Sequence, residues 1–452
     1  MEEKKSYKLH IESYDMNGLG VAKLEEKIVF VSGALKGETV LAELTNVHKK
    51  YAFAKTIKVL SPSMQRILSP CSYYEGCGGC DLLHMPYRVE CEIKEAKVKN
   101  TFHKMVKDEN IQFNPLIRNR NIFGYRNKVM TPFGYDEDEN VIYGFYEKLT
   151  HSLISIDKCE ISNHNVNEVI EFVRRYISVM HIKVYDEMTH TGIFRGVMAR
   201  TNYKDEVMLV LITTKLFDFS RMLEYIEKDF PFVKSIYINI NPDKTNVMLS
   251  HQYVHIYKEK TLVEDILGLK FSVSAASFMQ VNHDMCEKLY EEAFRMAGLS
   301  KEMTVIDAYC GMGSITLNIA KQVKHVYGIE IVEEAIENAN HNKELNQISN
   351  ATFICGPCEE EIQKLVHLEQ IDCIFFDPPR KGCESTFLKT VIEMKIPKIV
   401  YISCNISTCC RDLTILQAGG YIIQEVTPVD LFSKTSHVEC VCLLSLKEGK
   451  KQ

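Results

Sequence analysis

Cys404 is a thiol placed where a buried strand is predicted to end. Residues 399–402 (Ile-Val-Tyr-Ile) form a short β-rich run, and a helical pattern begins at Ser407. The ligand crevice of an open α/β sheet lies outside the carboxyl ends of its strands, so a thiol at this position is placed to react. The alternative is a buried structural cysteine, which is the commoner role of an unpaired thiol.

A second group of cysteines has the spacing of a metal site. Cys71, Cys77 and Cys80 are interspersed with glycines, which let the backbone wrap closely around a ligand. A paired zinc ribbon would repeat the two-residue spacing, and this segment does not. An iron–sulfur cluster needs four thiolates, and Cys159 is the best candidate for the fourth because it follows a strand region rich in glycine and tyrosine. Structural thiols are the alternative.

A glycine turn after a strand indicates a nucleotide-like ligand. Gly311 and Gly313 follow the predicted strand 304–308 and permit a tight turn close to a ligand. The dinucleotide fingerprint would have a third glycine at position 316, where this chain has threonine. Glu330 ends the next strand and can accept hydrogen bonds from ribose hydroxyls. The combination favours S-adenosylmethionine over a dinucleotide.

Two further acids border the predicted crevice. Asp377 begins the segment Asp-Pro-Pro-Arg-Lys-Gly, whose prolines stiffen a loop at the end of the fourth strand. Glu439 comes just before a β run at 440–446. A carboxylate near the crevice can accept a proton. The alternative for Glu439 is a surface acid at the start of a strand.

Strand and helix signals alternate through the C-terminal part, which predicts an α/β fold with a doubly wound, Rossmann-like parallel sheet. The predicted strands are 304–308, 325–330, 351–355 and 371–376, and the predicted helices are 314–323, 332–346 and 358–367.

The preceding part of the chain has a different character. Strands at 207–213 and 233–240 with helices at 165–180 and 218–229 predict an α+β central domain. Short strand signals at 28–31 and 39–44, separated by glycine turns, predict a small OB-like β-barrel. The predicted domains are therefore 1–60, 61–270 and 271–452.

Two segments carry local positive charge. Residues 86–130 contain 10 lysines and arginines against 5 acids, and residues 87–107 are predicted to form an amphipathic helix. In the N-terminal domain, Tyr51 and Phe53 lie among lysines, a mixture that is typical of nucleic-acid surfaces. An ordinary solvated face is the alternative. The lysines are Lys49, Lys50, Lys55 and Lys58.

Composition limits the class of protein. The chain has 452 residues, 46% of them hydrophobic, and a formal charge of -6, so nucleic-acid contacts must come from local patches. The first residues have no apolar segment of a secretion signal, and no apolar run is long enough to span a membrane. Sixteen cysteines without such a signal indicate a reducing compartment, and we expect a cytoplasmic monomer.

The assembled motifs resemble the RNA uracil-C5 methyltransferases that carry an N-terminal TRAM domain and an iron–sulfur cluster. The resemblance covers essentially the whole chain. Its motifs are Cys71-x5-Cys77-x2-Cys80 with Cys159, Ser277-Phe-Met-Gln280-Val-Asn282, Asp307-Ala-Tyr309-Cys-Gly311-Met-Gly313, Asp377-Pro-Pro-Arg380, Ser403-Cys404-Asn405 and His437-Val-Glu439.

The resemblance implies a role for each of these sites. Cys404 is implied as the nucleophile and Glu439 as the base, and helix 87–107 is implied to pack on the catalytic domain. The implied cofactor contacts are Gln280, Tyr309, Glu330 and Asp377, and the implied ligands of a [4Fe-4S] cluster are Cys71, Cys77, Cys80 and Cys159. The chain departs from the family pattern at Met279, Pro357 and Ile406, and no adenine contact is assigned at Pro357.

The chemistry of uracil methylation requires these residue types. C5 of uracil is a weak nucleophile until a thiolate adds to C6, and a base must then remove the C5 proton. The target base must also leave its stack. The resemblance favours large-subunit (23S) ribosomal RNA as the substrate, with transfer RNA as the alternative. A methyltransferase of another acceptor, which has no need of Cys404, and a non-catalytic RNA-binding iron–sulfur protein are the competing hypotheses.

Overall fold

The N-terminal strands alternate buried and exposed residues, as β5 shows along its length. In the computed structural model, which describes residues 3–148, 150 and 152–447, they form a six-stranded sheet in the order β1-β5-β6-β4-β3-β2 around its own hydrophobic core. The predicted strands 28–31 and 39–44 are confirmed within β4 and β5, while closure into an OB-like barrel stays a prediction. The strands are β1 (Ser6–His10), β2 (Ser13–Tyr14), β3 (Gly20–Leu24), β4 (Lys27–Ser32), β5 (Thr39–Val47) and β6 (Tyr51–Ser61).

Two elements that follow the N-terminal sheet belong in space to the C-terminal domain. Helix α1 (Tyr87–Met105) packs against helix and strand elements of that domain, and β7 (Gln112–Phe113) forms the edge strand of its sheet. The helix was predicted to be amphipathic, and this prediction is wrong. Glu90 and Lys94 lie on its buried side together with Val98 and Phe102. Burial of Glu90 and Lys94 is tolerated because the two side chains pair with each other and Lys94 also pairs with Asp430.

The central domain is a seven-stranded sheet in the order β10-β9-β8-β11-β12-β13-β14. The adjacent strands β11 and β12 are buried along their whole length, and β12 is a continuous apolar run. In β11 the buried Arg195 and Arg200 donate hydrogen bonds to backbone carbonyl oxygens. The predicted strands 207–213 and 233–240 are confirmed. The elements are β8 (Lys128–Tyr135), β9 (Val141–Tyr146), β10 (Leu153–Ser155), α2 (His164–Val179), β11 (Phe194–Thr201), β12 (Val207–Thr213), α3 (Ser220–Asp229), β13 (Val233–Ile240) and β14 (Tyr253–Lys258).

The C-terminal domain is a mixed eight-stranded sheet in the order β19-β18-β17-β20-β21-β23-β22-β7, with helices on both faces. It contains β17 (Thr304–Ala308), α5 (Ser314–Ala320), β18 (His325–Glu330), α6 (Glu333–Leu345), β19 (Ala351–Cys355), α7 (Cys358–Leu368), β20 (Cys373–Phe376), α8 (Ser385–Met394), β21 (Lys398–Ser403), α9 (Ile406–Ala418), β22 (Tyr421–Val429) and β23 (Glu439–Leu446). It is preceded by β15 (Leu262–Ile266), β16 (Leu269–Val273) and α4 (His283–Ala297).

The predicted parallel sheet is correct for β17 to β21, but β23 runs antiparallel to both of its neighbours. The start of β23 therefore lies at the same edge as the ends of the parallel strands. The predicted boundary at residue 270 falls inside β16, which packs against the helices of the C-terminal domain.

Within the described residues, the helices are too short or too polar to cross a membrane.

Candidate active site and cysteine cavity

Cys404 and Glu439 are brought together by strand register. Ser403, the last residue of β21, pairs with Cys440 on antiparallel β23. One step further along, Cys404 lies opposite Glu439. Helix α9 then begins behind the thiol, capped by the Asn405 side chain, which accepts a hydrogen bond of 3.1 Å from the Ser407 amide. The predicted position of Cys404 between a buried strand and a helix is thus confirmed.

The environment of this pair opposes ionisation. Burial raises the pKa of the Cys404 thiol to about 11, and the nearby Glu439 and Asp377 carboxyls raise it as well. Burial, followed by the charge of Asp377, also raises the pKa of Glu439 well above its usual range. Arg380 lowers the pKa of both groups and so favours the thiolate and the carboxylate. No role was predicted for Arg380 from the sequence, although it follows Asp377-Pro-Pro directly.

The glycine turn after β17 lies against the end of β18. Glu330 accepts hydrogen bonds from the amides of Gly311 (3.2 Å), Ile331 (2.9 Å) and Val332 (3.0 Å). Gly313 has a φ of 84°, and an added Cβ atom would lie 2.7 Å from the Phe353 ring. Glycine is required there both for its conformation and for close packing. The turn and the Glu330 carboxylate form a cradle at the ends of β17 and β18, and its contact with a ribose stays a prediction.

Two of the other predicted contacts directly follow strands of the parallel sheet, and the third lies in the loop before α4. Tyr309 follows β17, is half-buried and packs against Phe387 with ring centroids 5.3 Å apart. Asp377 follows β20, the strand between β17 and β21, and burial raises its pKa to about 7. Gln280 lies in the loop before α4, and its backbone carbonyl oxygen accepts a hydrogen bond of 3.1 Å from the side-chain amide of Asn127. Their roles stay predictions.

Asp307 is a buried acid that sequence reasoning left without a role. It lies inside β17, and one carboxyl oxygen accepts a hydrogen bond of 2.5 Å from the Thr316 hydroxyl. The other oxygen is buried and has no hydrogen-bond partner within the described part of the chain. Burial raises the pKa of Asp307 to about 7, despite the hydrogen bond from Thr316. An acid in the middle of an apolar strand was the signal that could have identified it.

The four predicted cluster ligands line one cavity of about 250 Å³. They come from two separate segments, and Cys159 lies close enough to raise the pKa of each of the other three thiols, after the larger effect of burial. Gly78 lets the backbone approach closely, because a Cβ atom there would lie 2.6 Å from the carbonyl oxygen of Tyr146. The ligands are Cys71, Cys77, Cys80 and Cys159.

The four thiols match in number the donor set of a [4Fe-4S] cluster. No three of them lie within 4.8 Å of one another, among the metal-binding side chains that the structure describes. In an iron–sulfur cluster each thiolate binds a different iron. The donor set and the cavity therefore fit the implied cluster.

A different set of three thiols does lie within 4.8 Å of one another. Cys409, Cys440 and Cys442 meet between α9 and β23, and the sulfurs of Cys409 and Cys442 are 3.8 Å apart. All three are fully buried in the hydrophobic core of the C-terminal domain. We assign them to packing, in which cysteine behaves as a small apolar side chain.

Sequence comparisons match this chain to RNA methyltransferases and to a TRAM domain. The sequence model of the tRNA (uracil-5-)-methyltransferase family matches residues 87–447, and that of the TRAM domain matches residues 3–57. An uncharacterised RNA methyltransferase of Halalkalibacterium halodurans is 38% identical over 442 residues, which cover 97% of this chain and 96% of the relative. Another from Staphylococcus epidermidis is 38% identical over 437 residues, covering 95% of each chain.

A solved structure has the same fold over nearly the whole chain. It is the tRNA (uracil-54, C5)-methyltransferase of Pyrococcus abyssi in complex with S-adenosyl-L-homocysteine, with a TM-score of 0.78 and 25% identity. The alignment covers 97% of this chain and 99% of that one. The chain therefore belongs to the tRNA (uracil-5-)-methyltransferase family, and it is an S-adenosylmethionine-dependent RNA (uracil-C5)-methyltransferase with a TRAM domain.

Proposed function

We propose that the protein methylates C5 of a uridine through a covalent bond between Cys404 and C6 of the base. The observation that carries this proposal is the position of Cys404 opposite Glu439, at the edge of the sheet where the glycine turn and Glu330 also lie. A thiol, a carboxylate and a ribose cradle are the three parts that the reaction needs. A methyltransferase of a protein or small-molecule acceptor would not need the thiol.

In the proposed mechanism the thiolate of Cys404 adds to C6, and the electron pair of the C5=C6 bond moves towards C5 as an enolate. S-adenosylmethionine supplies the methyl group and leaves as a neutral thioether. C5 forms the new bond to the methyl carbon. Glu439 then removes the C5 proton, the C5=C6 bond re-forms, and Cys404 leaves as a thiolate. Arg380 favours both anionic groups at the steps in which they act.

Cys71, Cys77, Cys80 and Cys159 are the proposed ligands of a [4Fe-4S] cluster. The cluster would fix the fold of the segment around Cys80 and takes no part in the chemical steps. Removal of any one thiol would leave an incomplete donor set, because a four-iron cluster takes one thiolate per iron.

The N-terminal domain offers a surface for the RNA. Tyr51 and Phe53 of β6 are exposed and contact each other with ring centroids 5.7 Å apart, and Phe30 and His48 extend the group. Exposed aromatic rings stack on unpaired bases, and neighbouring lysines bind phosphates. This aromatic and basic surface supports a single-stranded segment of a larger RNA as the substrate.

We propose 23S ribosomal RNA as that substrate, with transfer RNA as the second candidate. The combination of a TRAM domain with the four-cysteine site favours ribosomal RNA. The transfer RNA alternative is supported by the Pyrococcus abyssi enzyme, which resembles this chain over its whole length and acts on uracil 54 of tRNA.

Nucleoside mass mapping of RNA from a deletion strain tests the proposal. Ribosomal and transfer RNA are separated before digestion, and the strain is complemented with the wild-type protein or with Cys404→Ala. We expect one 5-methyluridine of 23S RNA to disappear and to return only with the wild-type protein. Loss from the transfer RNA fraction alone would replace the first candidate with the second. Unchanged 5-methyluridine in both fractions would refute the proposed function.

A further inference from the structure

The loop that precedes Glu439 is hydrogen-bonded to residues that come before the C-terminal domain in the sequence. This loop, residues 430–438, joins β22 to β23, and we call it the base loop. The amide of Ser436 donates a hydrogen bond of 2.8 Å to the carboxylate of Asp81. The amides of Asp81 and Leu82 donate bonds of 2.9 and 3.1 Å to the carbonyl oxygen of Lys434. The middle of the base loop is therefore bonded to the chain immediately after Cys80.

The beginning of the base loop is fixed by buried charge. Lys94 of α1 donates to Asp430 at 2.6 Å, to Glu90 at 2.8 Å and to the carbonyl oxygen of Phe432 at 3.0 Å. Glu90 in turn accepts the amide of Lys434 at 2.7 Å. The side chains of Lys94, Asp430, Glu90 and Lys434 are all buried, so each charge depends on the others for compensation. This network anchors the first half of the loop independently of Asp81.

The second half of the base loop has a different support. Ser436 is held on two sides: its amide donates to the Asp81 carboxylate, in the segment after Cys80, and its carbonyl oxygen accepts a bond of 2.8 Å from Lys97 of α1. Asp81 also forms an ion pair with Lys148, and the backbone beside Lys148 is bonded to Cys77 and Gly78. Asp81 thus lies between the cysteine cavity on one side and the base loop on the other.

We propose that Asp81 is a positioning residue that couples the occupancy of the cysteine cavity to the position of Glu439. The inference rests on the proposed function, because it assigns Glu439 as the base. Cys80 is a proposed cluster ligand and is covalently joined to Asp81, and Ser436 is three residues from Glu439. A displacement of the Cys80 segment moves the Asp81 carboxylate, releases the Ser436 amide and loosens the segment that sets the direction of the Glu439 side chain.

Hydrogen exchange measured by mass spectrometry tests the coupling without reference to activity. The cluster-loaded wild-type protein is compared with Asp81→Ala, Asp81→Asn and Lys148→Met. We expect amides of residues 434–438 to exchange about tenfold faster in Asp81→Ala, as expected for one lost hydrogen bond. Asp81→Asn keeps an acceptor oxygen and should stay close to wild type. Lys148→Met loses the ion pair but keeps the bond to Ser436, so it is the matched control.

Removal of the iron from the wild-type protein should have the same local effect as Asp81→Ala. A second readout is the covalent complex with RNA: Asp81→Ala should accumulate it, because proton removal slows, while its affinity for S-adenosylmethionine is unchanged. Equal exchange of residues 434–438 in all proteins, or faster exchange throughout Asp81→Ala, would overturn the coupling. Absence of any 5-methyluridine product from the wild-type protein would instead refute the proposed function. The exchange result does not depend on that product and would still test the coupling.

Discussion

Glu439 stands opposite Cys404 because Ser403 and Cys440 are paired across antiparallel strands. The strand pairing fixes the backbone of the two residues relative to each other, while the base loop bears on the direction of the Glu439 side chain. The nucleophile and the base of the proposed reaction act at different steps, and this separation makes their variants distinguishable.

Cys404→Ala should give no covalent complex, because the bond to C6 cannot form. Glu439→Gln should allow addition and methyl transfer and then stall, since an amide cannot accept the C5 proton. The stalled species would migrate as a slow RNA–protein band on denaturing gels and would need S-adenosylmethionine for full accumulation. The double variant should give no band. A band from Cys404→Ala, or full turnover by Glu439→Gln, would show that the roles are wrongly assigned.

The rate of methylation should depend on pH through the groups that Arg380 influences. The thiol and the carboxyl both have raised pKa values and must lose their protons to act, so the single-turnover rate should rise with pH. Arg380→Gln removes the cation that lowers both pKa values and should shift the profile to higher pH. Arg380→Lys should shift it less. Lys381→Gln, which removes a neighbouring exposed cation paired with Glu384, is the control and should leave the profile in place.

The purified protein should be brown, with broad visible absorbance and about four irons per chain. Cys77→Ser should lose this absorbance, because the cavity then has three thiols. Cys355→Ser, which removes an exposed cysteine, should keep it. Stoichiometric zinc without iron in protein prepared under anaerobic conditions would contradict the assignment of the cluster.

Glu330→Ala should weaken the binding of S-adenosylmethionine and leave RNA affinity nearly unchanged. A lost hydrogen bond to a charged group costs about 1.5–3 kcal/mol. Because the same carboxylate also holds the amides of Gly311, Ile331 and Val332, Glu330→Gln is included as a variant of the same shape. Calorimetry measures both ligands, with Glu333→Ala as the exposed control. Equal losses of both affinities would mean that the site is wrongly assigned.

Asp307 should make the protein less stable as pH rises. Its pKa is raised from 3.8 to about 7 in the folded protein, so the folded state binds a proton that the unfolded state has released between these values. The resulting loss of stability across that range is about 4 kcal/mol at most. Asp307→Asn keeps an oxygen for Thr316 and should show a smaller fall in Tm with rising pH. Identical pH dependence in this variant, the wild type and the surface variant Asp138→Asn would contradict the prediction.

The sequence predicted the elements whose burial is complete. Strands 207–213 and 304–308 are buried at every position and have the predicted bounds, because mainly apolar runs between turn residues permit few alternatives. Strand 325–330 also has the predicted bounds, although it is only partly buried. The positions of Cys404 and Glu439 at strand ends were also predictable, since a thiol after a strand and an acid before one are local features, while their catalytic roles stay predictions that the family resemblance implies. Helix α1 and its packing on the C-terminal domain were expected too, but the burial of its charges was not, because Lys94 is buried by a partner 336 residues away. A local pattern contains no information about such a partner.

The position of α1 also has a consequence for how the protein is made. Its buried lysine meets Asp430 only after 336 further residues have been added. At synthesis rates of about 5–20 residues per second, the helix waits roughly 15–70 s for that partner. The base loop is therefore among the last parts of the molecule to be completed, and a nascent chain that already presents its TRAM domain to RNA cannot yet carry out the reaction.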